Sequence, residues 1–217
     1  MLSDPTARND ADFQTGVETL VKRDADLARL VARDGTPPMW RRKPGFATLV
    51  HIILEQQVSL ASAQAAFDRL QAALSDFSPT AFLDLSDDAL KEIGFSRQKT
   101  RYVRGLSESL LRGTLSLETL SLQHDDAIRA NLTQLKGIGR WTADIYLLMA
   151  LGRLDVWPGG DLALVKSIRQ VKQLPVTATA DDLATIASAW QPWRSVAACI
   201  LWNHYLIHMT RRAVTNS

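Results

Sequence analysis

Almost every stretch of this 217-residue chain repeats its apolar residues at steps of three and four, a spacing that only a helix gathers onto one face. In FATLVHIILEQQVSLASAQAAFDRLQAAL (46–74), Phe46, Leu49, Val50, Ile53, Gln57, Leu60, Phe67, Leu70 and Leu74 fall on or near one stripe. Helix-start signals recur: Ser78-Pro79 before TAFLDL, Ser86-Asp87-Asp88 before ALKEIG, and Thr179 with Asp182 at capping-box spacing before LATIASAW. Gly94, Gly113 and Gly152 each follow a periodic run, where a glycine ends a helix. No alternating run bounded by hairpin turns and no internal repeat is found. The pattern predicts an all-α protein of about ten short helices.

Two loops interrupt it. DGTPPMWRRKPG (34–45) sets an N-terminal helix, about 12–33, apart from the body, and WPGG (157–160) precedes a helix beginning at Asp161. Residues 1–11 are expected to be a mobile terminus. The length suits one large domain or two small lobes.

Charge says little in total, with 25 basic against 23 acidic residues, but more in its distribution. Between Lys91 and Arg112 stand six basic residues and only two acids, and RRK at 41–43 is a second cluster. Such stretches suit polyanions, although most are solvated faces. The single cysteine, Cys199, excludes a disulfide and a four-cysteine metal site within the chain. Its setting, VAACILW, predicts a buried small hydrophobe. No signal-peptide pattern and no apolar stretch of membrane-span length are present, so a soluble, intracellular protein with no membrane partner is expected. His204 and His208 have a metal-compatible spacing, but the sequence offers no third ligand and no adjacent glutamate, so no catalytic metal is expected.

The segment LKGIGRWTAD (135–144) lies between two helical patterns, 121–135 and 141–152. Glycines at such a turn permit positive φ and close approach of a ligand to the backbone. The free N–H groups at the start of the second helix suit an anion. Gly137, Gly139, Thr142 and Arg140 are therefore candidates to hold a DNA phosphate, a contact that positions without reading a base. Asp161, after WPGG, has the position of a helix N-cap.

LKGIGRWTAD resembles the helix-hairpin-helix motif of DNA repair glycosylases. WPGGD, with Asp161 22 residues after Gly139, is similar to the Gly/Pro-rich loop and catalytic aspartate that complete that superfamily's signature. FATLVHIILEQQVS (46–59), GIGRWTAD and AWQPWRS (189–195) resemble, in order and spacing, the 3-methyladenine DNA glycosylase II family in its form without the N-terminal β-domain. The resemblance covers roughly residues 12–210. It implies a two-lobed all-α helix-hairpin-helix glycosylase fold with the active site in the interlobe cleft. One lobe would be 36–153, carrying the hairpin; the other would combine 12–35 with 154–210 and carry the catalytic aspartate.

The resemblance further implies a monofunctional glycosylase that flips alkylated purines of the 3-methyladenine and 7-methylguanine type out of double-stranded DNA and hydrolyses the N-glycosidic bond. Asp161 would be the catalytic carboxylate, stabilising positive charge on the sugar and orienting water. Bifunctional relatives carry a nucleophilic lysine at the hairpin exit, and Trp141 stands there instead. Electron-rich walls would attract a cationic base; Trp141, Trp190, Tyr146, Trp40 and Gln57 are the pocket candidates, with some of the aromatics expected in the core. The wedge that fills the gap left by the flipped base falls in GFSRQK (94–99), at Phe95, Ser96 or Arg97. Ile145 stands where the family can place a tyrosine, and Glu55 where relatives often have glycine. No cofactor is required, and a monovalent cation, Na+ or K+, at the carbonyls of Thr133, Leu135 and Ile138 is a family expectation. The protein would act as a monomer in the cytoplasm or nucleoid of a bacterium, or in a eukaryotic nucleus. Two other readings are a non-catalytic damage- or structure-binding protein that keeps the hairpin as a phosphate clamp, and a glycosylase for deaminated bases such as hypoxanthine.

Overall fold

The computed structural model describes residues 5–209, and among them every regular element is helical. The described residues divide into two compact units: those up to Arg41 together with those from Gly152 onward, and Arg42–Leu151. The divisions expected from the sequence lay at 35/36 and 153/154. Residues 36–41 go with the first unit because Trp40 packs edge-on against Trp202, ring centres 6.3 Å apart, and Arg41 pairs with Asp10 at 2.9 Å.

Each unit is built around one helix that is apolar on nearly all sides, a pattern that forces a helix to the centre of its neighbours. In the first unit that helix is α13 (Arg194–His204), in which every residue from Ser195 to Trp202 is buried. It packs against α1 (Pro5–Arg23), α2 (Ala25–Asp34), α11 (Leu162–Val171) and α12 (Ala180–Ser188). In the second unit it is α3 (Phe46–Glu55), with Leu49, Val50, Ile52 and Ile53 wholly excluded from solvent. Around α3 lie α4 (Leu60–Ala73), α7 (Arg97–Leu111) and α10 (Arg140–Ile145). Shorter helices complete the order: α5 (Pro79–Asp84), α6 (Asp87–Ile93), α8 (Leu117–Leu120) and α9 (Asp125–Thr133). α10 and α13 each run on into a π-helical turn, Tyr146–Ala150 and Tyr205–Met209.

Two expected helices are broken. The N-terminal one is already helical at Pro5, earlier than the expected start near residue 12, while residues 1–4 lie outside the described part. It stops at Asp24, which takes extended backbone and caps α2 with its carboxylate. The 46–74 stripe is split at Gln56–Ser59, where Gln57 adopts φ +58° and Ser59 caps α4. Three- and four-residue steps continue across both breaks, so periodicity alone does not reveal them. The other starts form as read: Ser78 caps α5, Ser86 caps α6, and Thr179 and Asp182 make a reciprocal capping box. Cys199 is buried, and burial pushes its thiol up to about 12. No helix is long and apolar enough to cross a membrane, among the described residues.

Candidate active site

The hairpin lies wholly in the second unit. α9 ends at Thr133, and a tight turn follows in which the Leu135 N–H bonds the Leu132 carbonyl and the Ile138 N–H bonds the Leu135 carbonyl, both at 3.1 Å. Gly139 caps α10 with its backbone only. The two glycines serve different ends. Gly137 has φ +91°, and a Cβ there would lie 2.0 Å from Cγ of Tyr102, well inside van der Waals contact. Gly139 has an ordinary φ of −87°, and a Cβ there would meet nothing within 4 Å. Gly137 is required by the fold; Gly139 has no such requirement.

Thr142, read from the sequence as a phosphate ligand, is 2% exposed, and its hydroxyl accepts the Gln56 side-chain amide at 3.0 Å. The same amide donates to the Gly137 carbonyl at 2.9 Å. Thr142 is therefore part of the hairpin's internal bracing. Asp144 is fully buried and bonds the Arg129 guanidinium at 2.6 Å, tying α10 back to α9. Arg140 is exposed, and Trp141 is half-buried at the start of α10.

Gln56, and not Gln57, is the residue of this block that reaches the hairpin. Gln57 is exposed at the tip of the α3–α4 loop. The last turn of α3, which leads into that loop, is held by the Lys99 ammonium, which donates to the Leu54 carbonyl at 2.7 Å and whose pKa burial lowers. Glu55, the departure noted in the sequence, is buried and holds Arg42 through two hydrogen bonds, one of 3.0 Å. Tyr146 is completely buried; its hydroxyl accepts the Gly45 N–H at 3.1 Å, and burial raises its pKa. It is a core residue of the second unit and not a pocket wall, because α10 turns this position inward toward α3.

Of the three expected wedge residues, Phe95 and Ser96 have roles within the fold and Arg97 is exposed. Phe95 is 4% exposed and packs on Phe82, ring centres 5.6 Å apart, because the glycine cap at Gly94 turns the chain back into the core. Ser96 caps α7 through the Lys99 N–H, and Arg97 is an exposed residue of that helix's first turn. The basic run is partly consumed as well: Arg104 binds the Leu83 and Leu85 carbonyls and Asp87.

In the first unit the geometry converges on Asp161. The WPGG loop closes through Gly159 N–H to the Trp157 carbonyl at 2.8 Å and delivers Asp161 as the N-cap of α11. Its Oδ1 accepts the Leu164 N–H at 2.9 Å and the Trp202 indole N–H at 3.1 Å. Trp202 is a residue that the sequence reading missed. Its ring meets Trp40, so Trp40 reaches the carboxylate's surroundings through Trp202.

Trp190, expected at a pocket wall, is 2% exposed. Its indole N–H donates to Asp24 at 2.7 Å, and its ring supports Trp157 at 5.6 Å. Arg194 clamps Asp155 at 2.7 Å, and the Ser195 hydroxyl donates to the Arg153 carbonyl and accepts the Val156 N–H. The AWQPWRS block is therefore a scaffold for the segment leading to Asp161.

Residues 50–194 match the family described as HhH-GPD superfamily base excision DNA repair protein. The DNA-3-methyladenine glycosylase 1 of Schizosaccharomyces pombe is 28% identical over 181 residues, 81% of this chain and 79% of that relative. Other relatives are longer, and the chain spans 58% of one and 40% of another. Among solved structures, an S. pombe 3-methyladenine DNA glycosylase in complex with abasic DNA superposes with a TM-score of 0.80 at 26% identity, over 87% of this chain and 95% of that one. A DNA-3-methyladenine glycosidase from Bacillus halodurans gives 0.70 at 30% identity, over 88% of each chain.

Proposed function

Because the chain belongs to the HhH-GPD superfamily of base excision DNA repair proteins, and within it to the 3-methyladenine DNA glycosylases, we propose that it hydrolyses the N-glycosidic bond of alkylated purines in double-stranded DNA as a monofunctional monomer. The observation that carries this reading is Asp161, held by the Leu164 N–H and the Trp202 indole at the mouth of a glycine turn.

An N-alkylated purine of the 3-methyladenine or 7-methylguanine type is cationic. When its bond to C1′ breaks, the bonding pair neutralises the ring and the positive charge moves to the sugar. A carboxylate fixed before the reaction stabilises that charge without reorganising. Water adds to C1′, its proton passes to a base, for which Asp161 is the candidate, and an abasic site remains. Trp141 at the hairpin exit supplies no amine, so no Schiff base forms there. Instead it is an aromatic residue of the kind that attracts a cationic base, a contact worth roughly 0.5–2 kcal/mol.

Gly139 supports phosphate binding by the hairpin. A glycine with ordinary φ and open space where a Cβ would stand is favoured in the fold only modestly, as the N-cap of α10, and the open space also lets a ligand approach the backbone closely. The carbonyls of Thr133, Leu135 and Ile138 are hard oxygen donors of the kind that suits Na+ or K+; Leu135 already accepts one N–H but keeps a second lone pair. An ion there would add positive charge beside the phosphate.

The test is a duplex carrying a single 7-methylguanine. Release of free base, an abasic product cut only after alkali, and no borohydride-trapped adduct are expected. A trapped covalent adduct would overturn the monofunctional assignment.

A further inference from the structure

The first unit carries a side-chain cluster that none of the roles above uses. Asp34 ends α2, while His204 and His208 stand four residues apart where α13 passes into its terminal π-turn. The sequence offers these histidines no third ligand, but the fold brings one from 174 residues away. His204 Nδ1 lies 3.5 Å from one carboxylate oxygen of Asp34, and His208 Nε2 lies 2.6 Å from the other. The three donor atoms fall within 4.8 Å of one another. Around a tetrahedral ion with bonds of ~2.0–2.2 Å, neighbouring ligand atoms stand roughly 3.3–3.5 Å apart. Shifts of about an ångström convert the cluster into a coordination shell.

A cation already sits at this focus. Nη2 of Arg33 is 2.7 Å from Asp34 Oδ2 and 2.7 Å from His204 Nδ1. The Arg33 side chain is 51% exposed, so it can be released to water, whereas the Asp34 and His204 side chains are each 3% exposed and stay in place. His204 is also not a satisfied core histidine: its Nε2 is buried with no hydrogen-bond partner among the described residues. Its Nδ1 is the nitrogen that faces the cluster.

We propose that Asp34, His204 and His208 bind one transition-metal ion of the zinc class, which displaces the Arg33 guanidinium and takes solvent as its fourth ligand. Two imidazoles and one carboxylate suit zinc or cobalt, whereas calcium and magnesium ask for oxygen shells. The ion ties the end of α2 to the end of α13 within one unit. It is structural and takes no part in base release.

The experiment uses the whole chain without a histidine tag, stripped with chelator and titrated with Co2+ as a visible-band probe, then with Zn2+ as competitor. One equivalent of Co2+ with intense tetrahedral-type bands, lost on adding Zn2+, is expected. His208→Ala and Asp34→Asn each weaken uptake at least tenfold. Arg33→Ala tightens it several-fold, since the competing cation is gone. Zn2+ at a hundred times its Kd raises Tm by roughly 5–10 °C in the wild type and not in His208→Ala. Absence of stoichiometric uptake overturns the proposal. So does uptake indifferent to His208→Ala, which places the ion elsewhere, or weaker uptake in Arg33→Ala.

Discussion

Two glycines one residue apart in the hairpin make opposite predictions. In Gly137→Ala the new Cβ must adopt φ +91° and stand 2.0 Å from the Tyr102 ring. The left-handed backbone costs a non-glycine residue about 1–2 kcal/mol, and displacing the ring costs roughly 1–3 kcal/mol as overpacking. Together these amount to about 2–5 kcal/mol, which in a chain of this size lowers Tm by roughly 5–20 °C. Adding Tyr102→Ala removes the steric share and leaves the backbone share, so the double variant recovers part of the loss and not all of it. In Gly139→Val the backbone is already in a region open to any residue and the side chain enters empty space, so folding loses only about 1 kcal/mol from the poorer cap. The expected damage is to DNA. Loss of one hydrogen bond to a charged phosphate, about 1.5–3 kcal/mol, weakens binding roughly ten- to hundredfold on every sequence alike. Thermal melts with fluorescence anisotropy on two unrelated duplexes separate the two effects. A Gly137→Ala protein as stable as wild type, or a Gly139→Val protein that unfolds more readily than Gly137→Ala, would refute this division of labour.

Other predictions follow from the same geometry. Trp202→Phe removes the indole N–H from Asp161 and leaves a smaller ring at a buried site; Tm should fall and base release at about 25 °C should fall at least tenfold while the protein is still folded, and equal release would show that this bond does not position the carboxylate. Gln56→Ala removes the amide shared by Thr142 and the Gly137 carbonyl; hydrogen exchange of the hairpin amides should speed up, and unchanged protection would show that the brace is dispensable. Burial pushes the His51 imidazole below its usual pKa, Arg42 adds to this, and Glu55 and Asp68 oppose it. The unfolded chain therefore takes up a proton that folded His51 resists, and stability should decline as pH falls from about 6.5 toward the folded pKa. His51→Phe, keeping the stack on Phe67, should flatten that decline in melts between pH 7 and 5, and an unchanged slope would assign it to another group.

Much of the helical plan is legible in the sequence because it rests on local physics. Ser86, Thr179 with Asp182, and Asp161 act within one helical turn, so each announces its own helix start. The two central helices are legible too, since VAACILW leaves no polar face to turn to water and FATLVHIILE only the narrow strip of Thr48, His51 and Glu55. The breaks at Asp24 and Gln57 are not, because apolar spacing carries on across them. The site was legible where a motif carried it and illegible where distant residues meet. Trp202 reaches Asp161 from 41 residues away and Gln56 reaches Gly137 from 81, and neither has a local mark. The aromatic candidates show the same limit: Trp190 and Tyr146 are expected as pocket walls from the family resemblance and their aromatic character, and only packing reveals them as core supports.

The most direct test of the account is chromatography of free bases released from methylated duplex DNA by the wild type and by Asp161→Asn, with lesion-DNA binding measured on both. The asparagine still caps α11 and still accepts from Trp202, so the fold and the binding are kept while the negative charge is removed. The account predicts release of 3-methyladenine or 7-methylguanine by the wild type, release from Asp161→Asn reduced at least a hundredfold, and near-equal binding. Wild-type release matched by Asp161→Asn, or no release from either with intact binding, would contradict it.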